Sequence, residues 1–288
     1  LVLAVGGALT IAAVLAVAAP ALLPESSTSA QAVTPPVLSF HVDGRHGPTV
    51  LREIAASLQR QPVTDQRVRA TGALIEREGY ALATAVGGDA VASGWITDTT
   101  TTEVTPTTLR MSVQRGAPRF ADAAAEQRWR DLDAGDTTAP APQVREEPVP
   151  GDIADWYAAP PLTGPALLDG LLHTQPDRST LTLLTAITDT AASKVLEPVQ
   201  RADLFTELAG RADLDYQGTT TDRASRPALA FSHDSDRSGL PTRYVLLISP
   251  TGDLLSYEQI LTQDPGRLNV VIPATVSYTL YRGVQYRG

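Results

Sequence analysis

The spacing of hydrophobic positions changes period along this chain, and the changes divide it into elements. Val50, Leu51, Ile54, Ala55 and Leu58 recur every three or four residues, which predicts an amphipathic helix entered at Pro48-Thr49 and ended by Pro62. From residue 67 to residue 120 the period falls to two. Strands are expected from Val68, over 73–78 and 80–86, then over 91–97 and 99–104, with Gly87-Gly88-Asp89 as a turn. Leu109, Met111 and Val113 alternate with Arg110, Ser112 and Gln114, the mark of a half-buried strand with one wet face.

A second helical stretch follows. Residues 121–132 form a short helix candidate, and 133–150 read as a long acidic, Pro-rich surface loop. Thr163 and Pro165 open a helix carrying Leu167, Leu168, Leu171 and Leu172. Asp177 is the expected cap of the next, with Leu181, Leu184 and Ile187. Pro198 opens another, with Val199, Ala202, Leu204, Phe205 and Leu208, stopped at Gly210. Strands return at 214–220, 228–231, 243–248, 254–261 and 270–281, and Ser249-Pro250-Thr251-Gly252-Asp253 supplies a tight reversal. With no β-α-β alternation, the class is α+β with an antiparallel sheet.

Residues 1–23 are apolar and uncharged, and a run of that length spans a hydrocarbon core of roughly 30 Å. We expect a transmembrane anchor or signal segment at 1–23, a Pro/Ser/Thr-rich stalk at 24–47, and an extracytoplasmic domain at 48–288. The expected location is the cell membrane, single-pass, with the C-terminal domain outside. The alternative is secretion after cleavage near Ala32, where Ala30-Gln31-Ala32 has the small-x-small form. Within the stalk, His41-Val42-Asp43-Gly44-Arg45-His46 reads as solvated linker, since its arginine would repel a cation.

Composition narrows the function. The 288 residues hold 23 basic and 32 acidic side chains, a net charge of −9, and no cysteine. Thiolate chemistry, disulfides and Cys-ligated metals are excluded, and the acidic balance argues against nucleic acid as a partner. Residues 121–160 carry nine acidic and three basic side chains, so most of the imbalance sits in one segment.

No nucleophile elbow, phosphate loop, dinucleotide fingerprint or zinc-protease motif is present. Asp234-Ser235-Asp236-Arg237-Ser238-Gly239 begins like a calcium loop, but Val245 stands where the twelfth-position oxygen ligand belongs. His233 beside Asp234 has the form of a base and its orienter, with no nucleophile to serve. His173 fits a helix C-terminus, and the acids of 122–155 read as a solvated face. No catalytic residue, cofactor or metal is expected.

The chain resembles a family of actinobacterial single-pass membrane proteins of uncharacterised function, often encoded beside extracytoplasmic-function sigma factors. The resemblance rests on Pro161-Leu162-Thr163 before the Leu-rich helix and on Arg201-Ala202-Asp203-Leu204-Phe205-Thr206-Glu207 after Pro198. It rests also on Asp222-Arg223 before Arg226-Pro227, and on the hairpin from Ser249 to Leu255. By analogy it implies a half-open antiparallel barrel, like that of lipoprotein carriers, with helices on its concave side.

The expected function is therefore a non-catalytic, membrane-tethered binding or sensory domain holding a lipid or hydrophobic ligand. The groove would be lined by Tyr80, Trp95, Leu109, Met111, Trp156 and Phe231. The alternatives are an interaction module for an envelope regulatory protein linked to sigma-factor signalling, acting through the 133–150 loop, and a hydrolase using the scattered acids.

Overall fold

A computed structural model describes residues 32–61, 71–87, 90–158, 162–173, 175, 177–268 and 270–287. The expected anchor at 1–23, the start of the stalk, the strand from Val68 and the Gly88-Asp89 turn lie outside the described residues. Among those described, no helix is long and apolar enough to cross a membrane.

The chain is α+β, and its strands form one open antiparallel sheet of nine, ordered β4-β3-β2-β1-β9-β8-β7-β6-β5. The first meander comprises β1 (Gly72–Gly87), β2 (Ala90–Val104), β3 (Thr108–Arg115) and β4 (Gln143–Pro148). The second comprises β5 (Asp215–Thr221), β6 (Pro227–Ser235), β7 (Thr242–Ile248), β8 (Leu254–Leu261) and β9 (Ala274–Arg287). They fuse where β1 pairs with β9, Gly72 opposite Arg287 through Ala81 opposite Ser277.

Two expectations change here. The short runs at 73–78 and 80–86 are one strand of 16 residues, and 91–104 lies within one of 15. The loop expected at 133–150 contains β4, which pairs with β3 from Thr108 opposite Pro148 to Val113 opposite Gln143. Its sequence, Gln-Val-Arg-Glu-Glu-Pro, has no buried position, so no apolar alternation marks it; its backbone partner makes it a strand. β9 begins at Ala274, just after Pro273, which has no N–H to give to a ladder.

Six helices are described: α1 (Gly47–Gln59), α2 (Ala123–Asp131), α3 (Gly151–Ala158), α4 (Gly164–Leu172), α5 (Thr180–Ala191) and α6 (Pro198–Leu208). α1 buries Val50, Leu51, Ile54, Ala55 and Leu58, as its periodicity requires. α5 is capped by Ser179, whose hydroxyl accepts from Thr182 N. Asp177, the expected cap, stands two residues earlier and accepts from Ser179 N (3.0 Å) and Thr182 Oγ1 (2.5 Å). At the start of α6, Gln200 Oε1 accepts from Glu197 N (3.0 Å).

The main core lies between one face of β6–β9 and α1, α4, α5 and α6. Leu229, Phe231, Tyr244, Leu246, Ile248, Tyr257 and Tyr281 meet Leu51, Leu58, Leu183, Ile187, Leu204, Phe205 and Leu208 there. A fully buried Leu, Ile or Phe contributes roughly 1.5–3 kcal/mol against exposure, so this layer dominates stability.

The other face is crossed by the chain's own N-terminal segment. Ala32 bridges Val270, and His41 bridges Thr219. Val37, Leu38 and Phe40 cover Ala228, Ala230, Val245, Leu247 and Ile260. Part of the stretch expected as stalk is thus a strap on the sheet. Gly218, at φ +103°, admits it: a Cβ there would lie 2.1 Å from the His41 carbonyl oxygen. The strap also accepts hydrogen bonds, from Thr220 Oγ1 to Ser39 O (2.7 Å) and from Arg223 Nη2 to Pro36 O (3.1 Å).

Arg223 is the polar rivet of this face. Its Nε and Nη2 donate to Glu258 Oε1 (3.0 Å) and Oε2 (2.8 Å), and its guanidinium lies 4.7 Å from the Tyr278 ring centroid. Glu258 is 0% exposed. Arg223→Ala strands that carboxylate, so the urea-unfolding free energy should fall by about 3–5 kcal/mol. The same truncation at Arg282, whose pair with Glu78 is largely exposed, should cost under about 1 kcal/mol.

Candidate functional site

Register assigns every side chain of the first meander to a face. On β1, Ala73, Ile75, Arg77 and Gly79 pair with Val104, Thr102, Thr100 and Asp98 of β2. On β3, Leu109, Met111 and Val113 stand opposite Val104, Thr102 and Thr100. Because opposed residues share a face, these form one continuous surface. It is the helix side: Ala73, Val104 and Leu109 pack with Ile153 and Tyr157 of α3. Tyr281, opposite Arg77 on β9, donates its hydroxyl to Thr188 O of α5 (2.9 Å).

Of the six expected groove residues, Leu109, Met111, Trp156 and Phe231 therefore lie on the helix side. Leu109 and Trp156 meet at one cluster and Phe231 belongs to the main core. Tyr80 and Trp95 lie on the opposite side. Tyr80 stacks on Tyr278, ring centroids 5.2 Å apart, and Trp95 stands opposite Leu82. The structure does not bring the six to one groove, because Tyr80 and Trp95 have the other parity in their strands.

What the helix side of β1–β3 does assemble was not expected. Ile96, Met111 and Val113 are half-buried apolar side chains outside the main core. Among them stands a buried polar group: Asp98 at 7% exposure, Thr100 at 7% and Thr102 at 0%. Thr100 Oγ1 donates to Asp98 Oδ2 (3.0 Å). Gly79 makes the space, since a Cβ there would lie 2.6 Å from Asp98 Oδ1. Arg77 and, from α5, Asp189 complete the group; both carboxylates act on Arg77 through the field. Burial lowers the Arg77 pKa and raises that of Asp189, and the Arg77 charge opposes the second shift.

Two polar atoms of this surface lack hydrogen-bond partners among the described residues, Arg77 Nε and Thr102 Oγ1, and both are buried. Leaving such an atom unpaired costs roughly 1–3 kcal/mol. A register shift in the β1–β9 ladder falls between Glu76 and Arg77; bulges of this kind re-aim side chains beside functional sites. In sequence, Arg77 and Asp98 look like wet-face residues, and only cross-strand register reveals the group.

The other candidates resolve into structure. Asp234 pairs with Arg243 (2.8 Å), and His233 Nδ1 lies 2.9 Å from Asp213 O, so they form no base and orienter. Arg237 of the calcium-like turn pairs with Asp177. His173 Nδ1 lies 2.8 Å from Gly170 O at the end of α4. Among the described residues no group of three His, Cys, Asp or Glu side chains is placed to hold a metal.

A concavity, open and about 320 Å³, lies beside α1 and is lined by Arg45, Val50, Glu53, Ile54, Ser57, Thr219, Leu229 and Pro250. Its rim is the stretch expected as solvated linker. There Arg45 Nη2 donates to Asp43 Oδ2 (2.6 Å) and to Tyr216 Oη (2.7 Å), and Tyr216 donates to Asp43 Oδ2 (2.9 Å). These contacts pair Asp43, Arg45 and Tyr216 with one another at the rim.

No protein-family model matches this chain, and no curated protein aligns with it.

Hydrogen bonding from Arg45 holds the Asp43 carboxyl down to about 2. With the folded pKa below the unfolded one, this contribution to stability is present above about pH 4. It is lost as pH falls toward 2. Carboxyl NMR titration should give a midpoint near 2 for Asp43, returning to the ordinary aspartate range in Arg45→Ala.

Proposed function

We propose that this chain is a membrane-tethered extracytoplasmic binding or sensory domain, non-catalytic, that holds a lipid or other hydrophobic ligand against the helix side of β1–β3. One observation carries the reading: half-buried Ile96, Met111 and Val113 frame Arg77 and Thr102, whose buried polar atoms lack partners among the described residues. An apolar wall with a few oriented polar groups is the usual make-up of a ligand site. The reading takes the sheet as curved into a half-open barrel with helices on its concave side. It takes the apolar run at 1–23 as the tether. The family resemblance supports both.

An acyl chain laid along Ile96, Met111 and Val113 would gain about 0.8 kcal/mol per buried CH₂. The full chain, purified in detergent and exchanged against lipid extract, should retain lipid detectable by native mass spectrometry. Met111→Lys should reduce retention at least tenfold. Equal retention by wild type and variant would remove the reading.

A second reading is an interaction module for an envelope regulatory protein. It is favoured by β4, an edge strand without a buried position at the end of the sheet, since exposed edges accept partner strands. Val144→Pro would abolish partner capture under this reading and leave lipid retention unchanged.

A further inference from the structure

The polar group on the helix side of β1–β3 also limits what kind of ligand head it can take. Arg77 and Asp98 carry opposite charges on neighbouring strands, Arg77 opposite Thr100 and Asp98 opposite Gly79. Asp189 approaches from α5, in a position where burial favours its uncharged form. Around it, Arg115 is exposed opposite Asp98, Arg145 and Glu147 of β4 pair with each other, and Arg128 of the flanking α2 has a buried Nε without a partner among the described residues. On the strands themselves, Arg77 and Asp98 therefore offset each other. An anionic head would meet the buried Asp98 carboxylate, and a cationic one would meet Arg77. Either brings an unpaired charge into a desolvated site, which is strongly penalised.

Hydrogen-bonding capacity points the same way. Arg77 Nε is a donor only, Thr102 Oγ1 is donor and acceptor, and Asp98 and Asp189 offer carboxyl oxygens. Arg77 Nε and Thr102 Oγ1 are without hydrogen-bond partners among the described residues. Donors and acceptors on one floor match a head that carries several hydroxyls and no charge.

We propose that this floor takes the uncharged, hydroxyl-bearing head of an acyl amphiphile, with Arg77 and Thr102 donating to its oxygens and Asp98 accepting from a hydroxyl. The proposal rests on the reading of the same surface as a hydrophobic-ligand site and names the ligand class. Hydroxyl recognition supplies selectivity that an apolar groove alone lacks, because a site built to pair hydroxyls leaves buried groups unsatisfied when they are missing.

The test uses the full chain in detergent and four probes with the same chain: monooleoylglycerol, methyl oleate, oleate and oleylamine. Monooleoylglycerol should bind at least about tenfold more tightly than each of the others. Thr102→Val removes an atom that has no partner among the described residues, so its stability should be unchanged or raised. Its affinity for monooleoylglycerol should nevertheless fall by about tenfold, with methyl oleate unaffected. Equal binding of methyl oleate, tighter binding of oleate or oleylamine, or an unchanged affinity in Thr102→Val would each overturn the head-group assignment. Binding of none of the four would overturn the hydrophobic-ligand reading beneath it.

Discussion

The pairing of β1 with β9 is the constraint on which the rest of the molecule depends. It joins the first long strand to the last, over a ladder from Gly72 to Ala81, and turns two meanders into one sheet. Once that join is made, β4 and β5 lie at opposite edges. The chain from Pro148 to Asp215 must then travel the full width of the sheet across one face. α3 to α6 are that crossing. Their apolar sides bury Phe231, Leu246 and Tyr281, while the opposite face is left to the strap at 32–41. The division into a helix side and a strap side thus follows from one long-range pairing, not from any local propensity.

The two faces treat charge differently. On the strap side, Glu258 is fully buried, but both its oxygens accept from Arg223, which also donates to Pro36 O and Thr275 Oγ1. Asp222 likewise accepts from Ala224 N, Arg226 N and Arg226 Nε. Buried charges so completely paired build a fold. On the helix side, Arg77 feels Asp98 and Asp189 only through the field, with Nε unpaired among the described residues. The same residue types in one sheet are closed in one place and open in the other. That contrast in charge pairing, more than the presence of charge, is what the proposal for the helix side of β1–β3 rests on.

The class and the long elements were legible because they have a period: α1 in Val50, Leu51, Ile54 and Leu58, and β3 in the alternation around Met111. β4 was not, since an edge strand with two wet faces carries no hydrophobic signal. β1 seemed to break at Gly79, a residue whose missing side chain makes room for Asp98 on the next strand. Alternation also tells only which residues of a single strand share a face. Matching faces between strands needs register. Tyr80 and Trp95 were therefore grouped with Leu109 and Met111 on size and aromaticity, although they point to the other side. Arg77, Asp98 and Thr102 were passed over because polar residues in a strand read as solvated.

The strap bears on how such a surface can be used. Its bridges run from Val270 to Thr219, and its apolar residues close the face opposite the helices. The chain then turns at the Asp43-Arg45-Tyr216 network beside the β5 edge and enters α1, which packs into the main core. The helix side of β1–β3 is approached from the other direction, where α2 and α3 flank it. The two faces meet at Tyr281: its backbone oxygen accepts from Arg226 Nη1 (2.8 Å), while its hydroxyl bonds Thr188 O on α5.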